Sequence, residues 1–307
     1  MQRYLLSKVL QAIALMFGVL VIVFMLVRLT GDPVSLMINR ETATQEQIDD
    51  MRAALGLDRP LIVQFGSYAS DVLRGDFGYS LRFRSEVSDV IFNAIPITFQ
   101  LASFALLIAV VVAIPLGILG GTYPNSLVDG LARLVGLFGQ AVPSFWLALI
   151  FILVFAVNLG WFPSFGIDGF KSFVLPGIAL AVGGMGQLVR LTRSAVLEIR
   201  NEDYIRTAKS KGLTAVNIAI RHVFRNAALA LISVISIQFT YALAGSIYIE
   251  SIFAIPGIGW MLNEAISNRD FVLVQSLTLF IASFVIIIQL LTDVLYAVID
   301  PRIRFSS

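Results

Sequence analysis

Six stretches of the chain are apolar over the roughly 20 residues that one helix needs to cross a hydrocarbon layer about 30 Å thick. They run Val9 to Leu29, Ile97 to Gly121, Leu134 to Val157, Phe173 to Thr192, Ala227 to Ile249 and Phe271 to Leu295. The fourth is the most dilute, because Gly183, Gly184, Gly186, Gln187 and Arg190 interrupt it. The first follows Arg3 and Lys8, as a signal peptide would. Its apolar run outlasts a signal core of about 7–15 residues, and no small-x-small cleavage site precedes Gly31-Asp32-Pro33, so it reads as a retained transmembrane helix.

The long polar segment after the first stretch, Thr30 to Asn93, has its own pattern. Thr44 is placed to cap a helix running through Met51, Gly56 to end it, and Ile62, Phe65 and Tyr68 recur at helical spacing. The organisation expected is a first helix within residues 1–29, a small helical external subdomain over 30–93, and a transmembrane core over 94–307 with a cytoplasmic loop at about 193–226. Orientation comes from Lys and Arg in short loops, which resist translocation. They collect as Arg3 and Lys8, Arg133, the eight basic residues between Arg190 and Asn226, and Arg302 with Arg304. The opposite short loops hold only Lys171 and Arg269. Six crossings with both termini cytoplasmic satisfy that asymmetry.

Composition agrees with the pattern. Of 307 residues 58% are hydrophobic and 14% charged, with a mean hydropathy of +0.87. A soluble domain carries about 25% charged residues, so the expected class is an all-α integral membrane protein. A net charge of +2 gives no global nucleic-acid signature. There are no cysteines, which removes disulfides, thiolate metal sites and cysteine nucleophiles together. The single histidine, His222, lies among Arg221 and Arg225 and lacks a second imidazole to form a metal site or a nucleophile–base pair. No G-x-x-x-x-G-K-[ST] sequence is present to cradle ATP phosphates. The chain reads as no enzyme, and any ATP-driven function needs a partner.

Arg28, Glu250 and Asp293 lie near the ends of apolar stretches, where snorkelling accounts for them as well as an ion relay does. The glycines and prolines inside the helices, including the Gly117-x-x-x-Gly121 pair, read as packing positions. Better candidates for a solute pathway are the uncharged polar residues Gln140, Ser144, Gln187, Gln238 and Tyr241, since polar groups in hydrocarbon require a partner or water. Gln238, Tyr241 and Gly245 share a helix face that either lines a wet path or binds a neighbouring helix.

The most informative loop runs from Asn201 to Gly212. Asn201 is a good N-cap, Glu202 and Asp203 meet the positive end of the helix dipole, Lys209 and Lys211 meet the negative end, and Gly212 is placed to terminate. Tyr204, Ile205 and Ala208 form an apolar stripe beside Arg206 and Lys209. Such a helix docks on a soluble partner or rests on anionic headgroups.

Asp203-Tyr204-Ile205-Arg206-Thr207-Ala208-Lys209-Ser210-Lys211-Gly212-Leu213, with Arg221-His222 and Arg225-Asn226-Ala227 behind it, closely resembles the EAA loop of ABC importer permeases. The chain is similar in particular to the B-type permease subunit of the dipeptide/oligopeptide/nickel importers. Gly31-Asp32-Pro33, Leu55-Gly56-Leu57-Asp58-Arg59-Pro60, Gly75-Asp76-Phe77-Gly78, Arg190-Leu191-Thr192-Arg193-Ser194, Ile252-Phe253 with Pro256-Gly257-Ile258-Gly259, and Asp300-Pro301-Arg302-Ile303-Arg304 match that pattern in order. Thr207 departs from the acidic-alanine start of the wider motif. Leu229-Ala230 stands where Leu-Pro is common, so the proline kink before the fifth helix is not carried over.

The resemblance implies a six-helix type I importer permease in a bacterial cytoplasmic membrane, moving dipeptides or oligopeptides. It also implies a homologous second permease, two ABC ATPases that hold ATP and Mg, and an external substrate-binding protein; no cofactor is expected in this chain and no nucleic acid among its partners. The helix from Glu202 to Gly212 would be the coupling helix, with Glu202, Asp203, Tyr204, Ile205, Arg206, Thr207, Ala208, Lys209 and Gly212 at the ATPase. Nickel complexes, glutathione and other small solutes are the alternative cargo. An ion-driven carrier and a membrane scaffold are the readings of a different class.

Overall fold

The computed structural model describes residues 2–29, 44–54, 56–80, 82–199, 202–203, 205, 210, 212 and 224–299. Most of this is helix. In chain order the elements are α1 (Gln2–Leu29), α2 (Gln45–Ala54), α3 (Leu61–Arg74), a hairpin of β1 (Tyr79–Ser80) and β2 (Ser85–Glu86), then α4 (Val87–Thr122) and α5 (Leu127–Ala141). They continue with α6 (Ser144–Phe151), α7 (Val174–Ile199), α8 (Phe224–Ile252), α9 (Ile258–Ser267) and α10 (Phe271–Ile299). Among the described residues four helical segments are long and apolar enough to cross a membrane: Leu5–Leu29, Val87–Thr122, Phe170–Ile199 and Phe271–Leu295. The bent pair α5 and α6 raises the number to as many as five. The fifth apolar stretch of the sequence lies on α8, which runs unbroken through Ala230.

The third apolar stretch, Leu134 to Val157, is not one rod. It is split between α5 and the run Ser144–Asn158, which meet at 98°. Proline explains the break: Pro143 has no N–H to give α5, and Val142 before it is extended at φ −99°, ψ 120°. Past Phe151 the backbone widens into π-helical turns over Ile152–Asn158.

The chain divides into two compact units. One takes residues 2–95 with 261–290. Here α2 begins as the sequence predicts: the Gln47 N–H donates to Thr44 Oγ1 and the Thr44 N–H to Gln47 Oε1, a reciprocal capping box. Gly56 follows it at φ +63°. The apolar face of α3 rests on α1, with Phe65 and Tyr68 rings 5.4 and 5.8 Å from the Phe24 ring. Asp270 caps α10 through the Leu273 N–H at 3.1 Å and also receives the Ser80 hydroxyl at 2.6 Å, tying the hairpin to that helix end.

The other unit takes residues 96–260 with the end of α10. Its centre is α7. Of that helix's most apolar 18-residue window 61% is buried, against 11–33% for the other three spans. The dilute hydropathy of the fourth stretch follows from that position, because a span walled by protein does not need side chains that dissolve in lipid. Glycines let the neighbours close in: a Cβ at Gly121 on α4 would meet Val196 Cβ at 2.6 Å, and one at Gly139 on α5 would meet Gly186 Cα of α7 at 2.9 Å.

Candidate functional site

The second unit holds a partly open cavity of about 280 Å³ between α4, α6, α7 and α8. Four of the five predicted pathway residues line it: Ser144, Gln187, Gln238 and Tyr241. Ser144 comes from the first turn of α6, where the Pro143 break turns the chain inward. Gln187 and Gln238 meet across the cavity wall, the Gln238 Nε2 amide donating to Gln187 Oε1 at 2.6 Å. A Cβ on Gly184 would fall 2.9 Å from Gln238 Oε1, so the absent side chain at 184 is what gives that amide its place. Gln238 is nearly buried while Tyr241, one turn on, is 66% exposed. Gln140 does not join them. It is an exposed residue of α5, on the far side of the Pro143 break from Ser144.

The cytoplasmic-loop candidates are placed in part. Helical backbone is present at Asp203, Ile205 and Ser210, with Glu202 preceding and a turn at Gly212. Tyr204, Arg206, Thr207, Ala208 and Lys209 lie outside the described residues. Glu202 and Asp203 are exposed, and Gly212 is exposed at φ +78°, the left-handed geometry expected of a helix-ending glycine. Ile205 differs from its expected place in an outward stripe. It is 1% exposed and packs on Val196, with Ile118 and Ile199 against the pair, so it fastens the loop to α4 and α7. The sequence carries no period long enough here to distinguish an inward from an outward isoleucine.

Among the described residues two buried carboxyl groups organise the same unit, and the first escapes sequence reading. Asp129, fully buried in the first turn of α5, accepts from Arg193 of α7 at 2.5 and 3.2 Å and from the Asn125 N–H at 2.9 Å. Arg133 adds a 3.3 Å contact one turn on. The Ser126-x-x-Asp129 spacing, with the Ser126 hydroxyl accepting from the Asp129 N–H, is the signal that marks this helix start. Glu250 corrects an expectation: it does not snorkel. It is fully buried, and its Oε2 accepts the Gly259 and Trp260 N–H groups at 2.7 and 3.1 Å while Thr98 Oγ1 accepts from Ile258. Together they satisfy three otherwise orphaned donors at the N-terminus of α9. Arg28, by contrast, donates to Gln64 at 2.9 Å and stacks over Phe24, and Asp293 is half-buried and partnered.

Comparison with known families matches residues 113–305 to the binding-protein-dependent transport system inner membrane component, and residues 1–102 to the N-terminal component of the same system. The chain belongs to this family. The permease is 38% identical over 315 residues, with both chains fully covered, to a protein of Brucella abortus (strain 2308) named as a peptide transport system permease. It is 35% identical over 307 residues, again across both whole chains, to the glutathione transport system permease protein GsiC of Escherichia coli K12. Among solved structures it is similar to a chain of the inward-facing MetNI methionine ABC transporter, with a TM-score of 0.58 and 17% identity over 69% of this chain and 96% of that one. The permease is therefore a multi-pass, all-α ABC importer subunit of the peptide family, a class that is not itself the ATPase. The matched core contains Ser144, Gln187, Gln238, Tyr241 and the whole loop from Glu202 to Gly212.

Proposed function

We propose that this permease forms one half of the translocation pathway of an ATP-driven importer for short peptides, and that its solute path passes through the α4–α6–α7–α8 cavity. The observation that carries the reading is the convergence of Ser144, Gln187, Gln238 and Tyr241 on one cavity inside the family core. Isolated polar groups scattered through spans would each need its own partner; gathered, they wet a path. The peptide cargo rests on the relatives named for peptide transport, and glutathione, itself a tripeptide, is the second reading supported by the relative named for it.

In this reading both termini and the Glu202–Gly212 segment are cytoplasmic, and the segment is the seat of a partner ATPase that binds ATP and Mg. Glu202, Asp203, Tyr204, Ile205, Arg206, Thr207, Ala208, Lys209 and Gly212 are its proposed coupling residues, and Ile205 also packs against α4 and α7. Movement of the seat as the ATPases close then reaches α7, which bears Gln187, and alternates access. A homologous permease completes the pathway and an external binding protein delivers the solute.

The test is to purify a tagged copy from native membranes in detergent, identify its partners by mass spectrometry, and reconstitute the complex. The reading expects a second permease, Walker-motif ATPases and peptide uptake that requires ATP. Recovery of this chain alone, with uptake driven by an ion gradient, would overturn it.

A further inference from the structure

The cavity's chemistry is narrower than polarity alone. None of its described lining residues is an acid or a base. A buried ammonium or carboxylate needs a counter-charge, whereas an amide needs only one donor and one acceptor. The Gln187–Gln238 pair supplies that set. Their mutual hydrogen bond consumes one N–H and one acceptor site; whichever way the two amides are assigned, one side chain keeps a free N–H₂ donor and the other a free carbonyl acceptor. Both side chains line the cavity, so the leftover donor and acceptor belong to its wall. Gly184 keeps the position open, because any side chain there would displace Gln238 Oε1. The cavity, about 280 Å³ and partly open, has room for a few backbone units.

We propose that the Gln187–Gln238 pair is an amide-reading contact: it donates to the carbonyl and accepts from the N–H of a peptide bond in transit, and the charged ends of the peptide stay outside this contact. The proposal rests on the pathway reading above. It makes the permease a second selector, blind to side chains and sensitive to the backbone.

The experiment uses the complete importer with its binding protein in proteoliposomes, and compares a dipeptide with its ester isostere, in which oxygen replaces the backbone N–H. The affinity of the binding protein for each is measured separately by calorimetry, and uptake is read with the binding protein saturated. One lost hydrogen bond predicts uptake of the amide about 3- to 10-fold faster than the ester. In the double variant Gln187→Met with Gln238→Met, which removes both partners and leaves a similar shape, that ratio falls to about one. A wild-type ratio of one, or a double variant that keeps the ratio, overturns the proposal. So does an equal loss of both substrates in a variant that still assembles with its ATPases, because that is the signature of a helix staple. Tyr241→Cys blocked by a bulky thiol reagent separates the two levels: continued uptake of both substrates would mean that the cavity is not the path, and the pathway reading itself would fall.

Discussion

Asp129 and Arg193 stand 64 residues apart in the chain and share a two-pronged contact, with the aspartate side chain fully buried and the arginine side chain 22% exposed. The pair pins the start of α5 to the end of α7, close to where Val196 receives Ile205. Removing one partner from such a pair strands a charge, whereas removing both does not. Asp129→Ala is expected to lower the stability of the detergent-solubilised complex by about 3 kcal/mol, and Asp129→Ala with Arg193→Met by clearly less. Thermal unfolding of the two variants side by side checks this; equal losses would contradict it.

Gly183 and Gly186 sit one turn apart on α7 and make opposite predictions. A Cβ at 186 would come 3.0 Å from the Gly139 backbone, which cannot yield as a side chain can, while nothing lies within 4 Å of one at 183. Gly186→Ala is expected to cost about 1–3 kcal/mol by overpacking. Gly183→Ala is expected to be neutral or to stabilise by up to about 1 kcal/mol through helix propensity. Melting temperatures of the purified variants decide the matter.

Much of this was legible beforehand and some was not, for reasons that particular residues make plain. The apolar spans are readable because lipid imposes about 20 residues of hydrophobicity on any crossing helix. The capping of α2 by Thr44 and the close packing of Gly117 and Gly121 on α7 are local or spacing signals, and both are present. The Pro143 break lies inside an apolar stretch, where Gln140, Pro143 and Ser144 are its only polar or helix-breaking marks beside small residues. Glu250 looks like an interfacial charge because its partners, the N–H groups of Gly259 and Trp260, are backbone atoms and leave no mark on composition. Gln140 separates from Ser144 at the Pro143 break: four residues apart in sequence, they stand on two helices at 98°.

The Glu250 cap predicts a graded series. Glu250→Gln keeps a carbonyl oxygen for the Gly259 and Trp260 N–H groups, and Glu250→Met keeps none. The glutamine variant should assemble close to wild type, and the methionine variant should lose about 1–3 kcal/mol for the donors left unpaired. Thr98→Val, which strips the Ile258 N–H of its acceptor, should add a further loss of about 1 kcal/mol. Equal stability of the glutamine and methionine variants would show that the carboxylate is not the cap.

Gly212 tests the loop. At φ +78° an ordinary side chain costs about 1–2 kcal/mol, a β-branched one more, and asparagine least. Since a Cβ there meets none of the described residues within 4 Å, the backbone turn is the constraint the substitution tests. Gly212→Asn should retain most peptide-stimulated ATPase activity of the importer, and Gly212→Val should lose most of it while the membrane core keeps its melting temperature. Unchanged ATPase stimulation in the valine variant would remove the segment from the coupling route.

The most direct test of the account uses the absence of cysteine from the chain. Ser144→Cys and Tyr241→Cys each place a single thiol on the cavity, and the unsubstituted chain in the same complex controls for thiols in the partners. In the assembled importer, labelling with a bulky thiol reagent should abolish ATP-driven uptake, and peptide-loaded binding protein together with ATP should slow the labelling several-fold. Full uptake by the labelled importer, with a labelling rate indifferent to substrate, would contradict the claim that solute passes through this cavity.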